Sequence, residues 1–275
     1  ANAKAKVLEA FSGEGAAEPL KSGTEEFKNE EIRVWSLDGE VLIASINCKL
    51  HLISPTVTEG LLKAVEIAEA KYKGLVIWSP DDVFSAGANL EALMPVFMTK
   101  GAKGIAPEEK KLQDMMLRVR YANVPVVAAM RGLALGGGCE LAVHCARRVA
   151  HMESYVGLVE VGVGLIPGGG GCKEMALRAA NEARLYGGPS GDIFPYLKRY
   201  FQQIAMGEVS KSAELARDMG YLRQSDRIVL NPYELLHVAK EEAFLGFDPG
   251  ALLFQPEDYW DGLVKDARIV RNGAK

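Results

Sequence analysis

Glu140 and Glu160 stand twenty positions apart, each among small or apolar residues. Glu160 belongs to GLVEVGVGLIPGGGG (residues 157–171), one of the most apolar stretches of the chain. A carboxylate there must either reach solvent or be held for a purpose. Glu140 closes ALGGGCE (residues 134–140) and falls in the first turn of an expected helix, near the positive end of its dipole. A surface cap is the common explanation of such a residue, but glycines are poor neighbours for mere capping. Burial raises a carboxyl pKa, and two carboxyls sharing a cavity titrate as a coupled pair that can divide proton acceptance and donation. Two loops complete the set. FSAGANL (residues 84–90) and ALGGGCE both leave buried strands through small residues, so the amides of Ala88 and Gly137 could approach a ligand unobstructed. Two such donors aimed at one carbonyl oxygen form an oxyanion hole, where losing a single donor typically costs on the order of 3 kcal/mol of transition-state stabilisation. Taken singly, each loop also reads as a plain tight turn between strand and helix.

The elements that must position these residues follow from pattern. Residues 32–37 and 41–47 are rich in β-branched and apolar side chains and flank Asp38-Gly39, a hairpin signal. Ser54-Pro55 predicts a helix start, and Val57, Leu61, Val65 and Ala68 continue one apolar face to Lys71. Residues 74–79 and 124–130 read as strands buried on both faces. Between them come the small-residue loop at 85–88, a mobile-looking stretch around 99–106 and a helix from Pro107 to Tyr121. Residues 138–146 follow as a helix, and 147–151 and 154–156 as short strands. From Lys173 the pattern is mainly helical, near 173–181, 192–205, 209–219 and 232–243, with turn signals at 187–191. The expected division is a linker or N-terminal extension over residues 1–30, a core over 31–181 and a helical C-terminal region over 182–275.

Composition narrows the functional classes. The 275 residues are 48% hydrophobic with a formal net charge of −4, which gives no global electrostatic reason to expect nucleic acid or an anionic membrane as partner. The longest apolar runs are far too short for a membrane span. Cys48, Cys139, Cys145 and Cys172 lack paired spacing and read as reduced, buried thiols, so a cytoplasmic location is expected. His144 and His151 read as core or surface residues rather than metal ligands and His237 is similarly unremarkable, so no metal site is expected. The G-x-G within residues 162–168 lacks dinucleotide-loop spacing, and no phosphate loop of the G-K-[ST] type exists. Met94, Met98, Met115 and Met116 fit either a flexible pocket or core packing.

Taken together, FSAGANL, ALGGGCELA and GLVEVGVGLIPGGGG resemble the core motifs of enoyl-CoA hydratases of the crotonase superfamily, over residues 40–180 and more weakly to about 245. The resemblance implies an α/β fold, a crotonase-like spiral of ββα units with a helical C-terminal region. It implies an acyl-CoA thioester held with its carbonyl between the amides of Ala88 and Gly137, with coenzyme A as part of the substrate and no separate cofactor. Glu140 and Glu160 would jointly hold the water, Glu140 as base and Glu160 as proton donor to the α-carbon. By motif position the pocket would include Ala86, Asn89, Leu90, Gly136, Pro167 and Gly168. Two carboxylates favour hydration of a trans-2-enoyl-CoA, as in fatty-acid β-oxidation; the alternatives are an enoyl-CoA isomerase and a catalytically silent acyl-CoA-binding or assembly module. NCKLHLISP (residues 47–55) departs from the family's Asn-rich loop, and residues 182–204 are longer than the usual connection. Details such as SAELARDMGYL and SDRIV resemble hydratase domains fused to a 3-hydroxyacyl-CoA dehydrogenase. The partners so implied are the acyl-CoA substrate, further copies in a homo-oligomer (a trimer or a multiple of one), and a fused or associated dehydrogenase.

Overall fold

The computed structural model describes residues 23–187 and 191–246. Residues 1–22 of the expected linker, the centre of the 187–191 turn and the chain beyond 246 lie outside the described residues. Strands β1 (Thr24–Lys28), β2 (Ile32–Ser36) and β3 (Leu42–Ile46) form an antiparallel meander. Asp38-Gly39 turns the second hairpin with Gly39 at φ +76°, a conformation that favours glycine. Helix α1 (Pro55–Lys71) starts as its sequence dictates: Pro55 opens the first turn, and the Ser54 hydroxyl accepts from the Val57 N–H at 3.1 Å.

From β3 the sheet becomes parallel, through β4 (Leu75–Trp78), β6 (Val126–Leu135), β7 (Arg147–Gly157) and β8 (Arg227–Val229), while the short β5 (Val83–Ser85) pairs with the far end of β6. Helices α2 (Leu90–Lys100) and α3 (Ala102–Arg120) precede β6. Helix α4 (Gly137–His144) links β6 to β7, and α5 (Gly171–Tyr186), α6 (Phe194–Met206), α7 (Ala213–Asp218) and α8 (Leu235–Leu245) complete the mixed α/β fold.

Alternation along the strands builds two apolar layers. Ile32, Val34, Leu42, Ala44 and Ile77 face α1 and the rest of the main core, whereas Trp35, Ile43, Val76 and Trp78 face Leu235, Leu236, Ala239 and Ala243 of α8. Arg148 of β7 and Asp226, just before β8, are both fully buried and joined by a fork of hydrogen bonds, Nε to Oδ2 at 2.6 Å and Nη2 to Oδ1 at 3.0 Å.

Several boundaries differ from expectation for local reasons. The stretch around 99–106, expected to be mobile, is helical apart from Gly101, and residues 90–100 before it, for which no element was foreseen, also form a helix, because Asn89 Oδ1 accepts from the Ala92 N–H at 3.2 Å and caps α2. Gly101 at φ +62° then separates α2 from α3. The two short strands foreseen after His144 are one strand of 11 residues, carried past Met152 and Glu153 by an irregularity in the β6–β7 register. Met115 and Met116 are core residues, while Met94 and Met98 are exposed. The cysteine expectation needs correction at Cys172, which is exposed in the first turn of α5.

Candidate active site

Three adjacent parallel strands deliver the site at their carboxyl ends. Ser85, ending β5, pairs with Ala134 of β6, and Leu135, ending β6, pairs with Gly157, ending β7. The chain leaves β5 toward Ala88, β6 toward Gly137 and Glu140, and β7 toward Glu160. Crevices at strand carboxyl ends are where open α/β sheets bind ligands.

The first two loops touch. The Ile53 N–H donates to the Gly87 carbonyl at 2.8 Å and the Asn89 N–H donates to the Ile53 carbonyl at 3.1 Å, which pins the backbone around Ala88 while leaving the Ala88 N–H without an acceptor among the described residues. Gly137 is the first residue of α4, so its N–H has no partner in the preceding turn. The two amides are neighbours: a β-carbon placed on Gly137 would lie 3.2 Å from the Ala88 nitrogen. Gly87, at φ +108°, admits the approach, because any side chain there would meet the Leu135 carbonyl at 2.9 Å.

Glu140, 2% exposed, lies one turn into α4. Its Oε1 accepts from the Gly171 N–H at 2.8 Å. Burial pushes its pKa up to about 7; the N–H groups of Gly171 and Gly169 oppose that rise, and the nearby Glu160 adds to it. Glu160 opens a short 3-10 turn, Glu160–Val163. Both of its carboxyl oxygens are shielded and have no hydrogen-bond partner among the described residues, and burial raises its pKa. Its carboxyl packs against Gly136, where an added β-carbon would stand 3.5 Å from Oε1.

The Pro167–Gly171 turn closes the far side. A β-carbon on Gly169 would lie 2.7 Å from Glu140 Oε2, and one on Gly168 only 2.3 Å from Oε1 of Glu109, on α3. The Gly168 carbonyl accepts from Gln113 Nε2 at 2.8 Å, and Pro167 is buried beneath the turn. Behind Glu140, His144 is buried and its pKa falls to about 4, chiefly from desolvation. It is therefore neutral, with Nδ1 donating to the Glu140 carbonyl at 2.7 Å and Nε2 accepting from Lys173 Nζ at 3.1 Å. Arg120 Nη1 reaches Glu174 Oε2 at 2.7 Å, so α3, α4 and α5 are tied together behind the carboxyl pair.

The structure thus brings Ala88, Gly136, Gly137, Glu140, Glu160, Pro167 and Gly168 together at the carboxyl ends of β5, β6 and β7. Ala86 gives its N–H to the Leu50 carbonyl at 3.0 Å, Asn89 caps α2 and Leu90 opens that helix, so these three border the Ala88 amide. Sequence reasoning missed Glu109, Gly169 and Gly171. The glycine run was the available signal for the last two; Glu109, in an otherwise charged helix face, offered none. Among the described residues no cluster of three or more His, Cys, Asp and Glu could hold a metal ion, and no helix is long and apolar enough to cross a membrane.

The profile described as enoyl-CoA hydratase/isomerase matches residues 48–188. A probable 3-hydroxyacyl-CoA dehydrogenase of Bacillus subtilis is 36% identical over 223 residues, 81% of this chain; the chain spans only 27% of that protein's length. The mitochondrial methylglutaconyl-CoA hydratase of Mus musculus is 30% identical over 219 residues, which cover 73% of this chain and 68% of the mouse protein. Among solved structures, human enoyl Coenzyme A hydratase domain-containing protein 3 superposes with a TM-score of 0.67 at 24% identity, over 84% of this chain and 83% of that one, a likeness of fold.

Proposed function

This chain belongs to the enoyl-CoA hydratase/isomerase family, and from that premise we propose that it adds water across the 2,3 double bond of a trans-2-enoyl-CoA. The thioester oxygen sits between the Ala88 and Gly137 amides, which stabilise the negative charge that grows there as the double bond is attacked. Glu140 and Glu160 hold the water between them. Glu140 takes one proton as the hydroxyl adds to C3, and Glu160 gives a proton to C2. No cofactor is needed beyond the coenzyme A of the substrate.

The observation that carries this reading is the pair of shielded carboxyls, one held by Gly171 and the other unpartnered, beside two amides that lack acceptors. A carboxyl near neutrality can exist in either protonation state at working pH, as a group that accepts and returns protons must. The test is loss of the enoyl-thioester absorbance of crotonyl-CoA on adding the protein. Glu140→Gln and Glu160→Gln should each lower kcat by roughly 10²–10⁴, the usual contribution of a positioned acid or base. Near-normal kcat in either variant would refute its role. If Glu140→Gln retains most activity on a 3-enoyl-CoA and only Glu160→Gln abolishes it, the protein is an isomerase; normal CoA-thioester affinity without turnover would make it a binding module.

The hydrated product is a 3-hydroxyacyl-CoA, the substrate of the activity named for the Bacillus relative. A dehydrogenase on the same or an associated polypeptide, assembly as a trimer or a multiple of one, and a cytoplasmic location belong to the same proposal; light scattering on the purified protein tests the assembly.

A further inference from the structure

Taking a proton from water and giving one to C2 occupies two carboxyls, yet the site holds a third. Glu109 lies across the glycine turn from Glu140, so that neighbouring glycines, Gly168 and Gly169, each owe their lack of a side chain to one of the two acids. Its Oε1 is shielded without a hydrogen-bond partner, and its charge is one of those that raise the pKa of Glu140. Gln113, one helical turn further along α3, holds the Gly168 carbonyl and so fixes this face of the helix against the turn.

The contacts give the crevice a direction. The Ala88 and Gly137 amides adjoin Gly136 and Glu160, Glu140 follows, and Glu109 comes last, beyond Gly169 and Gly168. A thioester oxygen gripped at the amides puts the reacting carbons beside Glu160 and Glu140 and sends the remaining acyl carbons toward Glu109. Nothing cationic balances this end among the described residues. Lys110 pairs with Asp114, Lys111 with Glu108, Arg118 with Glu69, Arg120 with Glu174, and Lys173 lies 3.2 Å from Glu174.

We propose that Glu109 is a specificity-determining residue that turns away acyl groups ending in a carboxylate and leaves the site to uncharged acyl chains. This rests on the hydratase reading and deepens it by naming the substrate class. A like charge on the acyl terminus is repelled by Glu109, and at an effective dielectric of about 20 such a repulsion is worth on the order of tenfold in a specificity constant.

The experiment compares trans-2-pentenoyl-CoA with glutaconyl-CoA, acyl groups of equal carbon count that differ by a terminal carboxylate; because burial raises the Glu109 pKa, the comparison is made at pH 8, on the alkaline side. The quantity read is the ratio of the two kcat/KM values within one preparation, which is insensitive to any misfolded fraction. The unsubstituted protein should favour pentenoyl-CoA by tenfold or more, Glu109→Gln should narrow the ratio by roughly tenfold, and Glu109→Asp should restore most of it. Hydration of pentenoyl-CoA with a ratio unchanged in Glu109→Gln overturns this proposal and leaves the hydratase reading standing. Hydration of neither thioester by the unsubstituted protein removes both.

Discussion

Replacing Glu140 by glutamine should make the protein more stable while removing its turnover, and the stability gain should depend on pH. The pKa of this buried carboxyl is raised to about 7, so the folded state favours its protonated form. An unfolded chain releases the same proton at the ordinary carboxyl value of about 4.3. As pH rises between those two values, unfolding is increasingly favoured by release of the proton, and above about 7 the loss of stability is complete. At 1.36 kcal/mol per decade the full effect is about 3.7 kcal/mol, of which about 2.5 kcal/mol falls between pH 5 and pH 8. Glutamine titrates nowhere in this range. Its Oε1 can still accept from Gly171, but its amide nitrogen cannot accept from Gly169, a loss of about 1 kcal/mol at every pH. The variant should therefore match the unsubstituted protein near pH 5 and exceed it by about 2.5 kcal/mol at pH 8. Urea unfolding at the two pH values, with equal m-values, reads this directly. Parallel stability profiles for the two proteins would refute the claim that Glu140 is held in a proton-favouring environment.

Three further substitutions probe the framework. Gly169→Ala drives a methyl into Glu140 Oε2 and should lower kcat on the order of 10², the scale of a displacement of about 1 Å, with circular dichroism unchanged; wild-type turnover would mean the turn does not position the acid. Gly132→Ala combines φ +60° with a β-carbon 1.7 Å from the Asp82 carbonyl and should destabilise the chain by about 3 kcal/mol or more, so a loss below about 1 kcal/mol in urea would contradict the geometry. Asp226→Asn leaves the Arg148 guanidinium buried without its counter-charge, for an expected loss of about 3–5 kcal/mol; thermal unfolding little changed from the parent would argue that water reaches the pair.

The central elements were legible because each carried its own local signal. Ser54-Pro55, Asp38-Gly39 and the apolar runs of β4 and β6 act through neighbours in sequence, so their physics is present in the residues themselves. Strand β1 was not foreseen: TEEFK is polar and half-exposed, and only pairing with β2 makes it a strand. Strand β8 escaped for a similar reason, since three residues gain their structure from β7 and from the ion pair beside them. Within the site, the glutamates and glycines stood out by their apolar or small neighbours. Glu109 did not, because on α3 it is one charged residue among Glu108, Lys110 and Lys111, and only the tertiary approach of the glycine turn distinguishes it.

Helix α2 buries none of its residues, and Met94, Phe97 and Met98 stand in solvent. A helix anchored so lightly opens for little free energy. Its first residue lies two positions after Ala88, whose other flank is clamped by Ile53. The backbone is therefore pinned around Ala88 and compliant just beyond. This stretch can yield without unpinning Ala88, and backbone amides of α2 should be among the earliest to exchange with deuterated solvent.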